Sequence, residues 1–81
     1  SEQTLTTNTA TDTEYTVSDY SVGRKTLSVF VNGVLAKAGT GIDNGFYKEI
    51  GIPGEVSNTI QVFESLPEGT ELSTVSLVRR L

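Results

Sequence analysis

The side chains that could do chemistry in this sequence are carboxylates, hydroxyls and a few cations. The chain of 81 residues has 10 Asp and Glu against 6 Lys and Arg, and it contains no His and no Cys. Ser–His and Cys–His catalytic arrangements and Cys/His zinc sites are therefore impossible. Carboxylate pairs remain, but the acidic residues are spread singly, whereas clustered groups mark a site. The sequence predicts no catalytic residue, no metal site and no cofactor.

Two glycine-containing stretches resemble ligand-binding loops only in part. In "IDNGFYKE", residues 42–49, Asp43 and Glu49 are wrongly spaced for a calcium loop, which needs several oxygen ligands at alternate positions. "GTGIDNG", residues 39–45, lacks the Lys-Ser/Thr pair and the helix of a phosphate-binding loop. We interpret both stretches as turns.

The charge balance restricts the classes of partner. The net charge is -4 and the isoelectric point is about 4.5, which argues against nucleic acid and anionic membrane surfaces as partners. No apolar run approaches the roughly 20 residues of a membrane span. The first residues lack the basic and apolar regions of a signal peptide. Ser1 is small enough to follow a removed initiator Met, so we expect a whole gene product.

The sequence predicts that short strands position these side chains. In "TLSVFVN", Leu27, Val29 and Val31 alternate with Phe30, which predicts a strand. The Asn-Gly pair that follows, residues 32–33, can adopt the two positive φ angles of a type I′ hairpin turn. We predict that the three aliphatic residues face inward.

An earlier stretch, "EYTVSDYSV", changes parity within a strand. Tyr15 and Val17 share one parity, whereas Tyr20 and Val22 share the other, which predicts a bulge or bend near residues 18–19. Later in the chain, "LPEGT" predicts a turn with Pro67 at its second position.

The closing stretch and the spacing of turns complete the predicted fold. "ELSTVSLVRRL" carries apolar residues on both faces, which predicts a strand covered on both sides. About six short strands separated by turn signals predict an all-β fold, a small antiparallel β-sandwich or partly open barrel. The predicted domain division is a polar, Thr-rich N-terminal arm, residues 1–14, followed by a β domain, residues 15–81. The arm is either disordered or extended against a neighbouring molecule.

Partner chains are expected because so short a chain buries only about 60% of its unfolded surface and has no disulfide. Phe30 and Phe63 lie opposite the main apolar set of their strands, so they form either an exposed contact patch or a second core layer. The C-terminal arginines either dock on an acidic partner or form a solubilising strand end. The candidate partner-contact residues are Thr4, Leu5, Thr6, Thr7, Thr9, Phe30, Phe46, Tyr47, Arg79 and Arg80.

The stretches "TLSVFVNGVL", "FYKEI" and "NTIQVFESLPEGTELSTVSLV" together resemble a small β module of tailed-bacteriophage virion proteins. Such modules occur in tail fibres, head fibres and proteins that decorate capsids. The resemblance covers residues 26–78, and the segment 36–55 departs from it by being longer and richer in glycine. It implies no catalytic residue and a structural role in many copies, commonly as trimers.

The resemblance leads to a prediction of a capsid decoration (cement) protein that binds and stabilises the head shell. Its partners would be the major capsid protein and its own copies, and its location the virion, assembled in the host cytoplasm. The alternative is a fibre or spike module that binds a host-surface glycan or protein through exposed aromatic residues such as Tyr47. A small enzyme is the third alternative, and the missing titratable chemistry argues against it.

Overall fold

The computed structural model describes residues 2–78, which form seven β-strands in two antiparallel sheets. The four-stranded sheet has the order β1-β7-β3-β4, and the three-stranded sheet has the order β2-β6-β5. The sheets are not closed into a barrel, so the predicted all-β fold is confirmed as a small β-sandwich. The strands are β1 (Glu2–Leu5), β2 (Thr13–Ser21), β3 (Leu27–Val31), β4 (Val34–Leu35), β5 (Tyr47–Ile50), β6 (Val56–Val62) and β7 (Leu72–Ser76).

The core lies between the inner faces of the two sheets. Leu27 and Val29 are buried there and Val31 packs at its border, so the predicted inward face of β3 is confirmed. The register shift of β2 between Thr16 and Tyr20 confirms the predicted bulge. Because the bulge changes the strand's parity, the apolar residues on both sides of it reach the same core. The buried hydrophobic residues are Tyr15, Val17, Tyr20, Val22, Leu27, Val29, Tyr47, Ile60, Val62, Phe63, Leu66 and Leu72.

Two hydroxyl groups add to the connection between β5 and β6 at the facing pair Ile50 and Thr59. The Tyr20 hydroxyl donates to the Thr59 carbonyl at 2.5 Å and accepts from the Ile50 N–H at 3.2 Å. The Ser57 hydroxyl donates to the Ile50 carbonyl at 2.5 Å and accepts from the Thr59 N–H at 3.2 Å. The N–H and C=O groups of the facing pair Ile50 and Thr59 are thus linked through the hydroxyls of Tyr20 and Ser57.

The turns follow the sequence signals closely, with one shift. Asn32 and Gly33 have φ angles of 51° and 83°, as a type I′ turn requires. In "LPEGT" the Thr70 N–H donates to the Pro67 carbonyl at 3.0 Å, so Pro67 is the first residue of the turn and not the second. Gly69, with φ of 91°, then takes the third position, where a type II turn needs a positive φ.

The prediction that the last strand is covered on both faces is wrong. Leu72, Thr74 and Ser76 are buried, whereas Val75 is 42% exposed and Leu77 is 57% exposed. Only one face of β7 meets the other sheet. Because Thr74 and Ser76 on that inner face are polar, the sequence does not reveal which face is inward.

The N-terminal segment contributes to the sandwich within the described chain. Residues 2–5 pair with β7 from Glu2 opposite Val75 to Leu5 opposite Leu72, and β2 begins at Thr13. In this structure the segment forms an edge strand of its own sheet. None of the described residues forms a helix long and apolar enough to cross a membrane.

Candidate functional site

The outer face of the four-stranded sheet carries an uncharged row of residues across all four strands. Thr4 faces Ser73, Ser73 faces Phe30, and Phe30 faces Leu35. Val75 lies in the neighbouring row between Glu2 and Ser28. We call the residues Thr4, Ser28, Phe30, Leu35, Ser73 and Val75 the sheet-A patch. Glu2, at the edge, is the only charged strand residue on this outer face.

The outer face of the other sheet has a different chemistry. One of its rows joins Glu14, Gln61 and Lys48, so charged and amide side chains cross the whole sheet. Such a face is suited to water, whereas the sheet-A patch has no charge in its interior. The two outer faces of this small domain therefore differ in charge.

Phe30 has the surroundings expected of a contact residue. Its side chain is half-buried on the outer face and lies beside Leu35, which is 64% exposed. Sequence reasoning named Phe30 and Thr4 but missed Leu35 and the exposure of Val75. The stretch "LSTVS" gave no signal of this, because two of its three inward residues, Thr74 and Ser76, are polar.

Phe63 and Tyr47 do not belong to an exposed surface. Phe63 is 7% exposed, so of the two alternatives left open for it the second core layer holds. Tyr47, the first residue of β5, is 3% exposed, which corrects the expectation of an exposed aromatic in the glycine-rich loop. Burial is the main reason why the pKa of Tyr47 is raised to about 12, and the nearby Glu49 carboxylate contributes to the same shift. A sugar stacks on an accessible ring face, whereas Tyr47 exposes only a small part of its side chain, at a cavity described below.

The other predicted contact residues are dispersed. Leu5 is half-buried against the core, and Phe46 packs against the core while lining a cavity of about 390 Å³. Thr6, Thr7 and Thr9 lie in the connection from β1 to β2, where the Thr9 carbonyl accepts a hydrogen bond from the Ser65 hydroxyl. Arg79 and Arg80 lie outside the described residues.

A larger cavity of about 630 Å³ opens at the side of the sandwich where β3 and β5 run. Lys25, Leu27, Lys48 and Glu49 contribute to it, together with the loop residues 38–40. The loop is held by Asn44, whose side-chain oxygen accepts from the N–H groups of residues 40 and 41 at 2.9 and 3.1 Å. We call this cavity the edge groove.

Within residues 2–78 no group of three or more acidic side chains is placed to hold a metal ion. The sheet-A patch is uncharged and partly apolar, whereas the edge groove carries charged side chains.

Comparisons with known proteins find no family model, no curated protein and no solved structure that matches this chain.

Proposed function

We propose that this protein is a structural protein of a tailed-bacteriophage virion, a capsid decoration (cement) protein that binds and stabilises the head shell. The observation that carries the proposal is the sheet-A patch, an uncharged and partly apolar surface on an otherwise acidic chain. The resemblance of residues 26–78 to virion modules supports the same class of function. The partners are the major capsid protein and further copies of this chain, with a trimer favoured.

The energy available from this surface is appropriate for assembly in many copies. Fully burying a Leu or Val side chain contributes roughly 1.5–3 kcal/mol relative to leaving it exposed. Leu35 and Val75 retain 64% and 42% of their exposure, so a partner that covered them would gain part of that amount from each. The core of the chain is small, since twelve hydrophobic residues are buried among those described, so contacts with partners are the main further source of stabilisation.

The N-terminal segment is a second proposed contact. As an arm it would leave β7 and add a strand to the sheet edge of a neighbour. Only Leu5 of this segment packs against the core, and the Gln3 side chain makes its hydrogen bonds to Ser18 at 2.8 and 3.3 Å. Deleting residues 1–12 would remove β1 as well as the arm, so a point substitution on the sheet-A patch gives the cleaner test.

The test is the substitution Val75→Glu, which adds a charge to the patch between Glu2 and Ser28. Its matched control is Thr16→Glu, which adds the same charge to an exposed position on the three-stranded sheet. Both variants are first checked for folding by circular dichroism and thermal unfolding. They are then mixed with purified phage heads lacking the protein, and the bound copies are counted by quantitative mass spectrometry.

We expect the control to bind at hundreds of copies per head and the Val75→Glu variant to lose most of its occupancy. The solution mass of the free protein, measured by sedimentation, reports the trimer separately. Equal occupancy of both variants would refute the role of the patch. A copy number of only a few dozen in virions would instead assign the protein to a fibre or tail part.

A further inference from the structure

The two long sides of the sandwich are built differently. On the β2 side, the Ser18 N–H donates to the Gln3 side-chain oxygen at 2.8 Å, and the Ser76 hydroxyl donates to the Ser18 carbonyl at 3.3 Å. These bonds link the two sheets directly. On the opposite side, where β3 and β5 run, the edge groove separates them.

The four-stranded sheet presents an unpaired piece of strand at this groove. The Val29 carbonyl accepts from the Ala36 N–H at 2.8 Å, on the side of β3 away from β7. Backbone groups alternate sides along a strand, so the N–H and C=O of Leu27 point the same way. β4 pairs only with Phe30 and Val31, and no described strand continues the sheet beside Leu27.

The three-stranded sheet also presents an unpaired piece of strand, on the other side of the groove. The Tyr47 carbonyl accepts from the Gly39 N–H at 2.8 Å, on the side of β5 away from β6. By the same alternation, the N–H and C=O of Glu49 also point away from β6. The parallel bridge of Ala38 to Tyr47 is isolated, so the described part of the chain leaves the rest of this edge without a neighbouring strand.

The groove is lined by more cations than carboxylates, whereas the chain as a whole is acidic. Lys25 and Lys48 line it, and they are two of the four Lys and Arg residues among those described. The Glu49 carboxylate, which accepts from the Gly23 N–H at 2.7 Å, also lines the groove and offsets one of these charges. Two lysines against one carboxylate leave the lining with a net charge of +1, on a protein of net charge -4.

We propose that the edge groove binds an extended, acidic segment of a partner protein, which adds a strand to the β5 edge at Glu49. Main-chain hydrogen bonds to an open sheet edge supply affinity, and alternate side chains of the added strand supply specificity. Alternate apolar side chains would face Leu27 and Tyr47, and carboxylates would lie near Lys25 and Lys48. This inference is independent of the proposed function, which uses the outer face of the other sheet.

The test is an NMR titration of the whole ¹⁵N-labelled chain with the capped peptide Glu-Val-Glu-Val-Glu. The comparison ligands are Lys-Val-Lys-Val-Lys, the acidic peptide with alternate backbone nitrogens methylated, and sialyllactose as an anionic sugar. We expect the acidic peptide to shift the amide signals of Leu27 and Glu49. Methylation, which removes backbone donors, should abolish the effect.

The double substitution Lys25→Glu and Lys48→Glu should weaken binding by about fivefold or more, as expected for the loss of two exposed ion pairs. The matched control is Lys37→Glu, which reverses an exposed charge outside the groove and should leave the affinity unchanged. The proposal fails if the basic peptide binds as well as the acidic one, if methylation has no effect, or if only sialyllactose binds. Because none of these variants alters the sheet-A patch, failure here leaves the capsid-binding test unaffected.

Discussion

The substitution Tyr20→Phe tests the hydroxyl-relayed connection between β5 and β6. The Tyr20 side chain is 0% exposed, and its hydroxyl is the partner of both the Ile50 N–H and the Thr59 carbonyl. Phenylalanine keeps the ring and leaves these two backbone groups without a partner at that point. Burial is also the main reason why the pKa of Tyr20 is raised, so water does not readily replace the hydroxyl.

The expected loss follows from the two groups left unpaired. An unsatisfied buried donor or acceptor costs about 1–3 kcal/mol, and both groups belong to half-buried residues, so about 1 kcal/mol each is appropriate. The sum is about 2 kcal/mol, from a total stability of roughly 4–12 kcal/mol for a chain of this length. With a urea m-value of about 1 kcal/mol/M, the unfolding midpoint should fall by about 2 M.

The measurement is urea unfolding followed by circular dichroism, with Tyr15→Phe as the matched control. The Tyr15 hydroxyl accepts from the N–H of the exposed residue Asn8 at 2.9 Å, where water can substitute. We expect the control to lose less than about 1 kcal/mol. A loss below about 0.5 kcal/mol in Tyr20→Phe, or equal losses in both variants, would show that the relay does not stabilise the ladder.

Two further predictions concern the interior. Thr74→Val should stabilise the fold by about 1 kcal/mol and raise the melting temperature by about 4–8 °C, because the buried Thr74 hydroxyl has no hydrogen-bond partner among the described residues; a lower melting temperature would contradict this. The folded pKa of Tyr47 is about 12 against an ordinary 10.0, so the folded state holds this proton more tightly. The contribution of Tyr47 to stability should be constant below about pH 10 and then fall by about 1.4 kcal/mol per pH unit up to about pH 12, a fall that Tyr47→Phe should reduce in pH-dependent urea unfolding.

Short-range sequence patterns predicted the parts of the fold that depend on neighbouring residues in the chain. The alternation around Val29, the bulge before Tyr20 and the turn at Gly33 each depend on a few neighbouring residues, and each is confirmed. The pairing of β1 with β7 joins residues some seventy positions apart in a Thr-rich segment without apolar periodicity. No short-range pattern could predict it.

The candidate surfaces were harder to predict because they depend on which face is inward. In "FYKEI" the apolar count favours a face with Phe46 and Ile50, yet the core takes Tyr47. The position of β5 relative to the opposite sheet decides which of its faces is buried, and a short sequence pattern does not specify that position. The edge groove combines residues from four separate segments, so its basic character becomes visible only when the sheet edges are known.

The β4 hairpin strengthens the case for a partner on the four-stranded sheet. Val34 pairs with the inward-facing Val31, yet it is 69% exposed, because no strand of the smaller sheet lies beneath it. Leu35 is 64% exposed on the opposite face of the same two-residue strand. A hairpin needed only to close the fold could carry polar residues at both positions. Under the proposed function, the apolar residues on both faces of this strand would contact neighbouring copies of the chain or the capsid.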